Sequence, residues 1–177
     1  MCISGLTLLF LLVLAWPGWS TEVLLFAIQR NKNANEVQYH LRVDERCSLV
    51  SDTPVAVRWK LGDDRAEKTE PLTNIERMAY GAVNQQVAEN WVLFDLGFID
   101  HFRALEERSI KATARYDPQR ATCTPIVQTP INGQVAALER IYVQADEGLL
   151  KPKVQYIDIF GQSLAAPPTP VQERITP

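Results

Sequence analysis

From Glu36 to Val43 the chain alternates without a break. Val37, Tyr39, Leu41 and Val43 fall on one side; Gln38, His40 and Arg42 fall on the other. A period of two is the signature of a strand with one face on a dry core and the other in water. Val55 to Leu61 repeats the pattern, with Val55, Val57, Trp59 and Leu61 against Ala56, Arg58 and Lys60. Ile110 to Tyr116 does so again. Val23 to Gln29 is apolar on both faces, which predicts a central strand covered on each side. Trp91 to Gly97, Thr122 to Gln128 (weakened by Pro125), Gln134 to Ala145 and Lys153 to Gly161 complete the strand signals. The last two are separated by Asp146-Glu147-Gly148 and Pro152, which suits a long hairpin. These segments predict a mainly β fold: an antiparallel β-sandwich or open barrel of about 7–8 strands with one short capping helix.

The helix is predicted from Thr73-Asn74-Ile75-Glu76. Thr73 stands as N-cap and Glu76 reaches back to it in a capping box. Ile75, Met78, Ala79 and Ala82 share one helical face, so a helix over Asn74 to Tyr80 or slightly beyond is expected to dock that face on the sheet. Gly81 can end it in the left-handed region. Gly62 to Pro71 reads as a charged loop. Ala165 to Pro177 is Pro-rich and reads as an extended, poorly ordered tail.

Met1 to Ser20 carry no charged side chain. The apolar run Leu6 to Ala15 has the length of a signal h-region, and Gly18-Trp19-Ser20 supplies a small-x-small cleavage site. The first five residues lack the usual Lys or Arg, so an uncleaved anchor is the competing reading. The expected division is a signal peptide over 1–20, a single β-rich domain over 21–164 and the tail over 165–177. A secreted or periplasmic location follows. With a net charge of −3 and no basic stripe, the chain is not expected to bind nucleic acid. Membrane contact is expected only through the leader.

Of three cysteines, Cys2 lies in the leader. Cys47 and Cys123 then have one intrachain pairing open to them, and an oxidising compartment favours a disulfide over two separate thiols.

Three stretches carry a resemblance. They are Phe26-Ala27-Ile28-Gln29-Arg30-Asn31-Lys32-Asn33-Ala34-Asn35 followed by Val37-Gln38-Tyr39, then Glu70-Pro71-Leu72-Thr73-Asn74-Ile75-Glu76-Arg77-Met78-Ala79-Tyr80-Gly81, and Val154-Gln155-Tyr156-Ile157-Asp158-Ile159-Phe160-Gly161. With them the chain resembles the mainly bacterial "domain of unknown function 4833" family over nearly all of its length after the leader. Glu-Arg-x-Ala-Tyr-Gly is the most distinctive part. Members often follow an export signal. The resemblance implies no activity, cofactor or catalytic residue at any position. The cysteine pair is not a hallmark of the family, so the bridge rests on the compartment argument.

Chemistry-bearing patterns are sparse. His40 lies on the polar face of its strand, and His101 follows Asp100 in a loop, where neighbours in extended chain point apart. Asp63-Asp64 and Glu106-Glu107 sit among Arg65, Lys68 and Arg108 as solvated loop faces. No nucleophile elbow, zinc spacing or phosphate loop occurs, and no cofactor or metal is expected. The one polar set worth following is Arg30, Asn33, Asn35, Arg77 and Tyr80, whose guanidinium, amide and phenol groups suit a carboxylate or sugar. Its bland alternative is architectural. The leading expectation is an exported, non-enzymatic β-domain with a binding or structural role in the envelope, its partner or ligand unidentified. One alternative is an envelope hydrolase whose carboxylates, or a Cys–His pair, meet only in the fold. Another is a carrier with an apolar cavity lined by Phe26, Tyr39, Trp59 and Trp91.

Overall fold

The computed structural model describes residues 20–31, 34–62, 68–97, 105, 108–146 and 153–176. The segment expected to be a signal peptide lies, apart from Ser20, outside the described residues, as do Asn33, His101, Asp63-Asp64 and Glu106-Glu107. The chain is mainly β. Its strands are β1 (Thr21–Arg30), β2 (Glu36–Val43), β3 (Val55–Leu61), β4 (Lys68–Pro71), β5 (Ala82–Ala88), β6 (Trp91–Leu96), β7 (Ser109–Asp117), β8 (Thr122–Ile131), β9 (Gln134–Asp146), β10 (Lys153–Ser163) and β11 (Pro170–Ile175). A short helix, α1 (Asn74–Tyr80), stands between β4 and β5.

The strands follow the path β4-β3-β2-β1-β9-β8-β7-β6-β5, with β10 beside β9 and β11 beside β10. β9 is the hub. β10 pairs along it from Ala136 to Asp146 and so occupies one of its edges. β8 and β1 must then share the other edge in tandem. β8 takes Gln134–Ala137, antiparallel, and β1 takes Arg140–Val143, parallel. The sheet therefore divides at β9 into two arms, β1 to β4 and β5 to β8. Their inner faces meet in one core. Phe26 of β1 stacks on Tyr39 of β2 at 4.4 Å between ring centroids, and Tyr39 faces Phe94 of β6 at 6.4 Å. Val37, Tyr39, Leu41 and Val43 are all fully buried, as their alternation requires.

The structure departs from the sequence reading in several places. The sheet is mixed, because β1 and β9 run parallel. There are eleven strands among the described residues, not seven or eight. β4 lies in the expected loop, β5 follows the helix, and β11 lies in the expected tail. β11 holds because Arg174 and Glu173 are paired at 2.7 and 2.8 Å with Asp158 and Arg108. Pro125 does not break β8. It stands opposite Ala114 of β7, where the other edge of β8 is not yet paired, since pairing with β9 starts only at Gln128.

β1 bulges between Leu24 and Phe26. Leu24 is left exposed while Leu25, Phe26 and Ile28 are buried, so only part of this strand is covered on both sides. The disulfide Cys47–Cys123 has a Cα–Cα distance of 5.6 Å and spans 76 residues. It ties the β2–β3 loop of one arm to the start of β8 in the other. No helix among the described residues is long and apolar enough to cross a membrane.

Candidate functional site

Asn74–Tyr80 forms a helix because both halves of its capping box are made. Thr73 Oγ1 accepts from the Glu76 amide at 3.3 Å, and the Glu76 carboxylate accepts from the Thr73 amide at 2.7 Å. These bonds hold the Glu76 carboxyl below its usual range. The helix does not dock by the expected face. Ile75 is 76% exposed and Met78 66%. Tyr80 is the buried anchor, and Ala79 packs partly beside it. The Tyr80 ring meets Trp59 edge-on at 5.6 Å, and its carbonyl accepts the Tyr39 hydroxyl at 2.7 Å. Burial, then the neighbouring Tyr80, raises the Tyr39 phenol well above its ordinary range, so it remains a neutral donor.

Gly81 ends the helix with φ −64° and ψ 152°, which is extended and not left-handed. Glycine is needed there for room. A Cβ would collide with the Arg77 carbonyl oxygen, which already accepts the Gly81 amide. The Gly81 carbonyl in turn accepts the Gly97 amide at 2.7 Å, and a Cβ on Gly97 would crowd the Gly81 amide. The helix end is thus pressed against the end of β6.

This placement turns Arg77 toward β3. Its Nε donates to the Leu72 carbonyl at 3.2 Å. A cleft of about 500 Å³ opens here, lined by Arg42, Arg58 and Arg77 together with Val55, Ala56, Val57, Pro71, Leu72, Gly81, Ala82 and Val83. It exists because β4 pairs with β3 only from Arg58 to Leu61. At the other end of β3, the Gln85 side chain accepts from the Val55 amide at 2.9 Å and donates to its carbonyl at 3.1 Å. Val57 lies between these two closures. Beside the cleft, Glu22 Oε1 takes Arg58 at 2.6 Å and Arg42 at 3.5 Å. His40 lies on the same strand face, with a ring nitrogen 3.2 Å from Gln38 Oε1. Burial lowers its pKa; Glu22 opposes this and Arg58 reinforces it, so the ring is neutral at physiological pH.

Of the five residues singled out by sequence, Arg77 lines the cleft and Tyr80 anchors the helix behind it. Arg30 ends β1. Asn35 lies in the β1–β2 connection, its Oδ1 accepting the Gly62 amide at 2.9 Å. Both stand at the hairpin end of β2, six residues from Arg42, or ~20 Å of strand. The four described members do not assemble at one place. Arg42 and Arg58 were not singled out, although their positions on the polar face of β2 and β3 were legible; what brings them to Arg77 is the missing length of β4. Asn31 was also not singled out. Its amide accepts from the Ala145 N–H at 2.9 Å and donates to the Ala145 carbonyl at 3.0 Å, so the Asn-rich stretch fastens β1 to β9. Of the four aromatics proposed to line a cavity, Phe26 and Tyr39 stack on each other, whereas Trp59 meets Tyr80 and Lys111 lies 4.8 Å over the Trp91 ring.

A family model described as Domain of unknown function (DUF4833) matches residues 26–174. The chain belongs to that family. The match begins at Phe26, in the bulged part of β1, and ends at Arg174 of β11, so it takes in both arms and the cleft of this DUF4833 protein. No curated protein and no solved structure matches it. The stretch Glu76-Arg77-x-Ala79-Tyr80-Gly81, on which the resemblance was chiefly read, has a physical reading: cap, cleft cation, packing, anchor and close approach.

Proposed function

We propose that this DUF4833 protein is an exported, non-enzymatic β-domain that binds a ligand or partner in the cell envelope through the cleft between β3 and α1. The cleft is the observation that carries the reading. Its size is that of small-molecule sites, and a few polar groups converge over an apolar lining, as such sites require. The uncharged apolar leader and the disulfide between the arms support export. We read the two facing arms as a sandwich bridged by β9. A Cys–His hydrolase draws no support from the geometry, since Cys47 and Cys123 are bonded to each other and neither sulfur is a thiolate.

Cell fractionation and binding together test the reading. The protein should be recovered outside the cytosol with Thr21 at its N-terminus and no alkylatable thiol. A thermal-shift panel of anionic, neutral and cationic small molecules should contain at least one class that raises its melting temperature. Recovery of the intact chain in the cytosol, or a flat response to every class, would overturn it.

A further inference from the structure

We infer that the cleft is an anion site, and that its ligand is a carboxylate or phosphate monoester joined to an apolar body. The inference rests on the cleft being the binding site and adds the chemistry of the occupant. Three arginines line the cleft, and among the described residues Glu22 pairs with two of them through a single oxygen. Arg77 has no carboxylate partner among the described residues. Its Nε is spent on the Leu72 carbonyl, which fixes the guanidinium and leaves both terminal nitrogens as donors. A forked pair of N–H groups on a fixed stem is the geometry that takes two oxygens of a carboxylate or phosphate.

The acids nearest in sequence are engaged elsewhere. Glu70 pairs with Lys68 at 2.5 Å, and Glu76 caps the helix. The cleft therefore keeps an excess of positive charge in a chain whose net charge is −3. The rest of the lining, which includes Val55, Val57, Leu72, Pro71, Ala82 and Val83, carries no charged or polar side chain and suits an apolar body. An inorganic anion would leave the apolar lining unfilled.

Phenyl phosphate and octanoate are the probes, titrated by calorimetry at low salt into the disulfide-bonded protein. Inorganic phosphate, acetate and benzyl alcohol serve as half-ligands. Each complete probe should bind at least about tenfold more tightly than either half, and more weakly as salt is added. Arg77→Gln should weaken phenyl phosphate about tenfold or more, as loss of charge-assisted hydrogen bonds does. Glu22→Gln should tighten it, because Arg42 and Arg58 are released toward the ligand. A merely structural role for Glu22 predicts the opposite sign.

Sedimentation with phosphatidic acid vesicles, against phosphatidylcholine vesicles, assigns the anion to a lipid headgroup; phenyl phosphate binding without sedimentation assigns it to a free molecule. Should Arg77→Gln not fold, Arg58→Gln supplies the same comparison. Equal affinity for benzyl alcohol and phenyl phosphate, an unchanged affinity in a folded arginine variant, or weaker binding by Glu22→Gln overturns the anion inference. The binding reading would survive any of these. It falls only if the broader panel is silent as well.

Discussion

At the scale of single residues, the stretch from Thr73 to Gly81 shows which signals are local and which are not. The capping box was legible because both of its bonds close within four residues. The role of Gly81 was not, because the clash of a side chain with the Arg77 carbonyl depends on the extended path by which the chain leaves the helix, and the sequence suggested a left-handed one. Gly81→Ala should destabilise the fold by about 1–3 kcal/mol, the range for forcing extra volume into a packed site. Denaturant unfolding measures it, and a neutral result would mean that the helix end has room to move.

Asp158 is a second case. It is a buried carboxylate, held by two bonds from Arg174 at 2.8 and 2.7 Å. The Arg174 hydrogen bonds hold its carboxyl below the usual range, against the opposing effect of burial. Glu173 is lowered in the same way by Arg108. For a lowered carboxyl the stabilisation is complete above the ordinary carboxylate range. It is lost as pH falls through the lowered value. Arg174→Ala should therefore lower the melting temperature at neutral pH and flatten its acid dependence. Melting curves between about pH 7 and pH 3 check this; an unchanged slope would show that the pair contributes nothing to acid sensitivity.

At the scale of elements, eight strands were readable because each alternates or runs apolar for at least six residues. The three that were missed lack that pattern. β4 is three charged or polar residues followed by a proline. β5 carries a register shift between Val83 and Gln86, with Asn84 at φ 53°, so its periodicity is interrupted. β11 begins at Pro170 and shows Val171, Glu173 and Ile175 inward, a pattern hidden by the prolines before it. The helix misled for another reason. Its apolar stripe suggested docking, but a single buried Tyr80 anchors it and leaves Ile75 and Met78 exposed.

The candidate site was half legible at this scale. Arg77 stood out in a distinctive stretch, whereas Arg42 and Arg58 looked like any polar strand face until β4 proved too short to cover them. Gln85 completes the closure by standing where a neighbouring strand's backbone would pair with Val55. Gln85→Ala leaves that amide and carbonyl unmet and should cost about 1–3 kcal/mol. Hydrogen exchange at the Val55 amide reports it directly. Protection equal to the native protein would mean another group satisfies the strand.

At the scale of the whole molecule, the disulfide cross-links the two arms in addition to the backbone that runs between them. Closing 76 residues stabilises by about 4 kcal/mol in the chain-entropy model. The paired substitution Cys47→Ser with Cys123→Ser should lose about 2–4 kcal/mol in urea unfolding. Equal midpoints for the two proteins would show that the arms hold together without it. The pairing was legible from a count of cysteines. The mixed sheet was not, because nothing local in Ala27–Arg30 records that its neighbour is Arg140–Val143. Parallel pairing needs two segments far apart in sequence, and periodicity speaks only for each segment by itself.

That late partner sets an order of events. β2 can zip onto β1 as soon as the first hairpin exists, but the opposite side of β1 has nothing to bind until the chain has been made past Val143. Until then Ile28 and its neighbours border an open seam of amides and carbonyls, the kind of seam that recruits stray strands. A nascent chain of this design gains by being kept extended until its last third has emerged.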